Sequence, residues 1–209
     1  MTLIVLDQSV KKRIITDRRA RGHDRFDEVW DGVYVIAPSR DNEHQQTAGR
    51  LATIVDLLVA MNYGGRLFAG CNVSDRNEDW LQNFRCPDVA LYLPGTPAID
   101  RYTHWQGGPD FAVEIVSRND RSWQKLEFYA KVGTRELLIV DRDPWQLTLL
   151  QLQGDQLVIS GASSAADGNE LASNVVPLGF RLTSPEGLPT IEVRHLTDGR
   201  KYFAPASPR

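Results

Sequence analysis

Along the chain, apolar and polar positions switch between a period of two and a period near 3.6, and this reads as strands interrupted by two helices. The segment EVWDGVYVIAP holds two short β-rich runs around Asp31-Gly32, a dipeptide that favours a type I′ hairpin turn. A helix follows. Asn42 or Asp41 can cap it, and Ala48, Leu51, Ile54, Val55, Leu58 and Val59 recur at helical spacing until Tyr63-Gly64-Gly65 stops it. RLFAGCNV reads as a strand and NFRCPDVALYLPG as another, ending at Pro94-Gly95. A loop over 94–109 leads into FAVEIVS, a strand. SWQKLEFYAKV is helical in pattern and ends at Gly133, ELLIVDRD is a further strand, and QLTLLQLQGDQLVIS is a hairpin turning at Gly154-Asp155. Beyond Gly161 the pattern weakens to short segments and turns. Mixed order of this kind predicts an α/β or α+β fold around a sheet rather than a helical bundle.

Composition narrows the class without changing that picture. The 209 residues, 42% hydrophobic and 24% charged, suit a globular domain with a sizeable core. No apolar run approaches the ~18 residues that a membrane span needs, so no membrane partner is expected. Cys71 and Cys86 lack CxxC spacing and clustered histidines, which argues against structural zinc and fits reduced thiols in a cytoplasmic protein. The net charge of −3 argues weakly against a general nucleic-acid binder. Its distribution is uneven: KKRIITDRRARGHDR, residues 11–25, holds seven Lys or Arg against two Asp. Residues 1–25 therefore read as a basic segment, either solvated or lying along phosphates, and 26–209 as a single domain.

The chemistry starts from an oddity. FAVEIV looks like a buried strand, yet Glu114 stands at its centre, and a carboxylate there is costly unless paired or bound to a cation. Alone, Glu114 reads equally as an edge-strand residue facing solvent or as the partner of a buried arginine. Asp88 repeats the oddity inside FRCPDVALYL. Period-two alternation aligns Phe84, Cys86, Asp88, Ala90 and Tyr92 on one face, and Asp110, Ala112, Glu114 and Val116 on one face of the other strand. If the two strands are neighbours, their carboxylates meet. Such a pair repels unless one acid is protonated or a cation sits between them, and hard oxygen donors with room for water favour Mg²⁺ or Mn²⁺. Lys125 follows eleven residues beyond Glu114 with Tyr129 at i+4, so both share a helix face. A lysine there can position or deprotonate an attacking water; the plainer readings are a surface lysine and a core aromatic.

At these residues the chain resembles a known group. Pro87-Asp88 followed by Glu114-Ile115-Val116 resembles the PD-(D/E)XK nuclease superfamily. The longer pattern PDVAL, GPDFAVEIVS, Lys125-x-x-x-Tyr129 and ELLIVDRDPW closely resembles the Uma-two family of restriction-endonuclease-like proteins, over roughly Phe26 to Leu152. The resemblance implies a restriction-endonuclease-like core, a mixed β-sheet flanked by helices, and a Mg²⁺-dependent phosphodiesterase site. Asp88 matches the first metal acid and Glu114 the second. The superfamily's usual lysine, two residues after the second acid, is absent, with Val116 in its place; the family instead carries a lysine on the following helix, which Lys125 fits. Asp110, in the second Pro-Asp pair, stands too close to Glu114 to be the first acid. Glu28 matches an acid that the family often has before its first glycine turn, and His44 a histidine that often opens the long helix.

The expectation is a metal-dependent endonuclease acting on nucleic acid, with DNA as the leading substrate. In it Asp88 and Glu114 bind the metal, Lys125 assists, Glu28, His44 and Tyr129 are accessory, and Arg118 and Arg121 touch the nucleic-acid backbone. A homodimer would suit double-strand cuts. Two rivals use the same fold, a non-catalytic nucleic-acid-binding module and a homo-oligomeric assembly protein whose acids pair with arginines.

Overall fold

A computed structural model describes residues 3–5, 8–37, 40–116 and 121–206. The first half runs β1 (Leu3–Val5), α1 (Gln8–Ala20), β2 (Glu28–Trp30), β3 (Val33–Ile36) and α2 (Asn42–Val55). A π-helical turn (Asp56–Ala60) and the short α3 (Met61–Tyr63) extend α2. Then come β4 (Arg66–Phe68), β5 (Val73–Ser74), β6 (Phe84–Arg85), β7 (Val89–Tyr92), β8 (Ile99–Asp100), β9 (Trp105–Gln106) and β10 (Phe111–Ile115). A 3-10 turn (Ser122–Lys125) enters α4 (Leu126–Lys131). The chain closes with β11 (Glu136–Arg142), β12 (Trp145–Gln153), β13 (Gln156–Ser163), β14 (Leu171–Ala172), β15 (Leu178–Thr183), β16 (Thr190–His195) and β17 (Lys201–Pro205).

Among the described residues these strands form three sheets. The central one has the order β13-β12-β11-β10-β7-β4; β10 and β11 run parallel, joined by the α4 crossover, while its other neighbours are antiparallel. It is mixed and flanked by few helices, the α+β architecture expected. Its two faces carry separate cores. Phe111, Val113 and Ile115 point to one side, against Leu51, Val55 and Leu58 of the long helical segment and against Phe180 and Val193 of the C-terminal sheet. Ala112, Leu137 and Ile139 point to the other, against Phe128 and Tyr129 of α4. Glu114 shares the α4 side, because alternate residues of a strand face the same way.

Local chemistry accounts for the boundaries. Asp31 (φ 46°) and Gly32 (φ 83°) supply the two left-handed residues that a type I′ hairpin between β2 and β3 demands. Of the two possible caps Asp41 does the work, accepting from the His44 backbone N–H at 2.7 Å. Gly64 (φ 71°) ends the helical stretch in the left-handed region, and the tight turn at Gly154 joins β12 to β13 as expected.

Four expectations change. RLFAGCNV is two strands: it breaks around Gly70 (φ 76°), leaving β4 in the central sheet and β5 in the seven-stranded sheet. NFRCPDVALYLPG likewise splits into β6 and β7 in different sheets, because Pro87 has no N–H to give a ladder. Phe84 and Ala90 therefore do not share one continuous face. The residues after Gly161 form a four-stranded sheet whose Leu178, Phe180, Leu182, Ile191 and Val193 complete the larger core. The loop over 94–109 also holds β8 and β9. No helix among the described residues is long and apolar enough to cross a membrane.

One close approach fixes α4 against the entry to β10. Gly108 donates its backbone N–H to Val132 O at 2.6 Å, and a Cβ added there would lie 2.6 Å from the Thr134 backbone nitrogen and 2.4 Å from its hydroxyl. Backbone cannot yield as a flexible side chain can. Gly108→Ala is expected to cost about 2 kcal/mol, lowering Tm by roughly 4–8 °C. An unchanged melting curve would contradict this packing.

Candidate active site

Antiparallel pairing of β7 and β10 sets Val89 opposite Val113, so one step further Asp88 comes opposite Glu114. Asp88 lies in the bend that Pro87 imposes just before β7, not within a strand, and its Oδ2 accepts the Ile115 backbone N–H at 2.8 Å. Both acids are deeply buried, Asp88 at 3% and Glu114 at 2% exposure. The 3-10 turn after β10 brings Lys125 back over Glu114. Its Nζ lies 3.0 and 3.1 Å from the two Glu114 oxygens and 2.9 Å from Glu28 Oε1.

Glu28, at the start of β2, is itself pinned by the Cys86 backbone N–H at 2.9 Å and by the Trp30 indole N–H at 2.7 Å. Tyr129, one helical turn beyond Lys125, donates its hydroxyl to Glu114 Oε1 at 2.5 Å. On the opposite flank His44 Nε2 stands 3.2 Å from Asp88 Oδ2, and Arg40 Nη2 stands 2.7 Å from Asp88 Oδ1. The structure thus gathers Asp88, Glu114, Lys125, Glu28, His44 and Tyr129 into one buried cluster. Lys125 is 7% exposed and not a surface lysine.

The family description "Putative restriction endonuclease", that of Uma2, matches residues 18–185, most of the chain. The chain belongs to the Uma2 family. A solved structure described as "a putative nuclease belonging to DUF820 from Anabaena variabilis ATCC 29413" superposes on this Uma2 chain with a TM-score of 0.51 at 15% identity. The match covers 64% of this chain and 75% of that one, a likeness of fold. No curated protein matches the chain.

Environment pushes the two acids of this Uma2 chain apart. Burial raises Glu114, the like charges of Asp88 and Glu28 raise it further, and Lys125 and the Tyr129 hydrogen bond only partly offset them, leaving it at about 8. Burial also acts on Asp88, but the His44 hydrogen bond, the Arg40 charge and the Ile115 N–H outweigh it and hold the carboxyl below its ordinary value. Burial and then the neighbouring Glu114 and Glu28 raise the Tyr129 phenol well above its usual range, so it acts as a donor. This environment favours the ionised form of Asp88 and makes Glu114 hold its proton more tightly than an ordinary carboxyl.

The donor set fits a hard divalent cation. Among the described residues no three His, Cys, Asp or Glu side chains are gathered as a ligand cluster. Mg²⁺, however, is ordinarily held by one or two carboxylates with water and substrate phosphate completing its shell. Asp88 Oδ1 meets that need. Arg40 Nη2 is its ion-pair partner at 2.7 Å, and among the described residues this buried oxygen accepts no hydrogen bond of ordinary geometry.

Other residues singled out from the sequence lie elsewhere. Arg118 is outside the described residues, and Arg121 sits half-buried just before the turn that carries Lys125. Asp110 accepts the Leu93 N–H at 2.8 Å and pairs with Arg135, away from the cluster. Two residues of the cluster escaped the sequence reading. Arg40 precedes His44 by four, a spacing that crosses the helix cap and so carries no helical signal. Ser122, three before Lys125, directs its hydroxyl to Glu114 Oε2 at 3.5 Å.

Proposed function

We propose that this chain is a metal-dependent endonuclease that hydrolyses phosphodiester bonds, with DNA as its substrate. The observation that carries the reading is the opposed Asp88–Glu114 pair with the Lys125 ammonium 3.0 Å from Glu114. The family description supports a nuclease, and DNA is the substrate class that restriction chemistry implies. Asp88 and Glu114 would hold Mg²⁺ or Mn²⁺. That ion, when bound, supplies Lewis-acid stabilisation of charge on the phosphate. Lys125 orients the attacking water or offsets the negative charge that grows on the phosphoryl oxygens. Tyr129 and Glu28 act through others, the first fixing the Glu114 carboxylate and the second holding the ammonium in place. His44 orients Asp88 through Oδ2. Arg121 and Arg118 would contact the nucleic-acid backbone from the segment between Glu114 and Lys125. We take residues 26–209 as one domain carrying this site, in a cytoplasmic protein with reduced Cys71 and Cys86, and a homodimer as the assembly suited to double-strand cuts.

Incubation of native protein with plasmid, single-stranded DNA and RNA, in Mg²⁺ or Mn²⁺ and then in chelator, tests the reading. Cation-dependent internal cutting of DNA is expected. Salt-sensitive binding with no cutting of any substrate would contradict it and describe a nucleic-acid-binding module instead.

A further inference from the structure

A cleft of about 650 Å³ opens beside Asp88 and is lined by Arg18, His23, Arg25, Phe26, Arg40 and His44. Its volume lies in the range that holds one small molecule. That is room for one nucleotide-sized group. The basic residues on its wall are not equivalent. Arg18 is committed to Asp27, with Nε 2.5 Å from Oδ2 and Nη2 2.8 Å from Oδ1. Arg40 stacks on Phe26 with its guanidinium carbon 3.5 Å from the ring centroid, and Arg25 approaches the same ring at 5.3 Å. The Arg40 side chain is 18% exposed and pairs with Asp88 Oδ1 without a hydrogen bond of ordinary geometry. His44, on the same wall, has a buried Nδ1 with no hydrogen-bond partner among the described residues.

We propose that Arg40 is a substrate-phosphate residue stowed on Asp88, and that a divalent cation arriving at Asp88 releases it to grip a phosphate of one nucleic-acid strand in this cleft. The inference rests on the proposed function. Arg40 and the cation compete for one carboxylate oxygen. Once the cation neutralises Asp88, the guanidinium loses its ion-pair partner and faces the cleft, where the other lining carboxylate, Asp27, is already held by Arg18, the Tyr34 hydroxyl and the Ala37 backbone N–H. Its stacking on Phe26 anchors the side chain while the fork turns, and a planar fork of donors suits phosphate oxygens. Arg40 is then a cation-responsive binding residue, and the coupling is reciprocal: the cation tightens phosphate binding and phosphate tightens cation binding by the same factor.

The test uses the full chain, a short fluorescent single-stranded oligonucleotide read by anisotropy, and Ca²⁺ as a hard divalent probe, with calorimetry for Ca²⁺ itself. In native protein Ca²⁺ should tighten the oligonucleotide about tenfold, a coupling of ordinary size. In Arg40→Gln that response should fall to about twofold or less, the oligonucleotide should bind more weakly, and Ca²⁺ should bind at least as tightly as to native. Arg40→Lys, which keeps the charge and loses the fork, should recover only part of the response. An Arg40→Gln protein that keeps the native oligonucleotide affinity and cation response, or that loses Ca²⁺ affinity, overturns the inference. If native protein binds Ca²⁺ and cuts DNA while Arg40→Gln behaves like it, only this inference falls. A native protein that binds no cation and cuts nothing removes the proposed function together with it.

Discussion

Lys125→Met is expected to lower the stability of the cation-free protein by about 3–5 kcal/mol, the cost of leaving a buried charge without its partner. The ammonium lies within 3.0 Å of Glu114 and 2.9 Å of Glu28, and both carboxylates are buried. Methionine fills similar space, so the loss reports charge rather than packing. Its pH dependence has a definite sign. Glu114 stands at about 8 against an ordinary 4.5, so the folded state holds this proton more tightly than the unfolded chain. Stability from this group is complete below pH 4.5 and drains away as pH rises through 8. Removing Lys125 raises Glu114 further, so the variant should be hurt more at pH 8.5 than at pH 5.5. Asp88 and Asp41 are shifted the other way, and the stability they contribute is lost only as pH falls below about 4, outside this window. Urea unfolding at both pH values, with and without Mg²⁺, checks the prediction, and Mg²⁺ should restore part of the loss at pH 8.5. A pH-independent loss under about 1 kcal/mol would place Lys125 among weak, solvated ion pairs.

Asp88→Asn should reduce cation-dependent DNA cleavage by about a thousandfold, since a metal's transition-state stabilisation is worth several kcal/mol and each 1.4 kcal/mol is tenfold. Folding should survive, because the amide oxygen of asparagine can still accept the Ile115 N–H that Asp88 now receives. The loss should fall on kcat more than on KM. Cleavage within tenfold of native would exclude Asp88 from the site.

How much of this was legible depended on whether the signal was local. Glu114 stands out because an acid inside a five-residue buried strand breaks the apolar run, and Tyr129 with Lys125 because their spacing puts both on one helix face. The hairpin at Asp31-Gly32 and the stop at Gly64 follow from backbone φ alone. Glu28 and His44 entered through family likeness. What escaped depends on long-range placement. Pro87 ends one sheet and begins another, so a period of two carried across it misassigned the strand of Asp88. Arg40 stands outside any periodic element, and only the folded chain sets it on Asp88 and Phe26. Leu178–Thr183 and Thr190–His195 alternate as strands should, but each is only six residues long and the link between them holds Pro185, Gly187 and Pro189, so the local pattern there is one of short segments and turns.

Asp88 and Glu114 are proposed to hold one divalent cation between them. Calorimetric titration of Mn²⁺ into native protein, Asp88→Asn and Glu114→Gln tests this. One binding event in native protein, lost in both variants while their melting curves show them folded, is the predicted result. Equal Mn²⁺ affinity in all three proteins, or no binding to native, would contradict it.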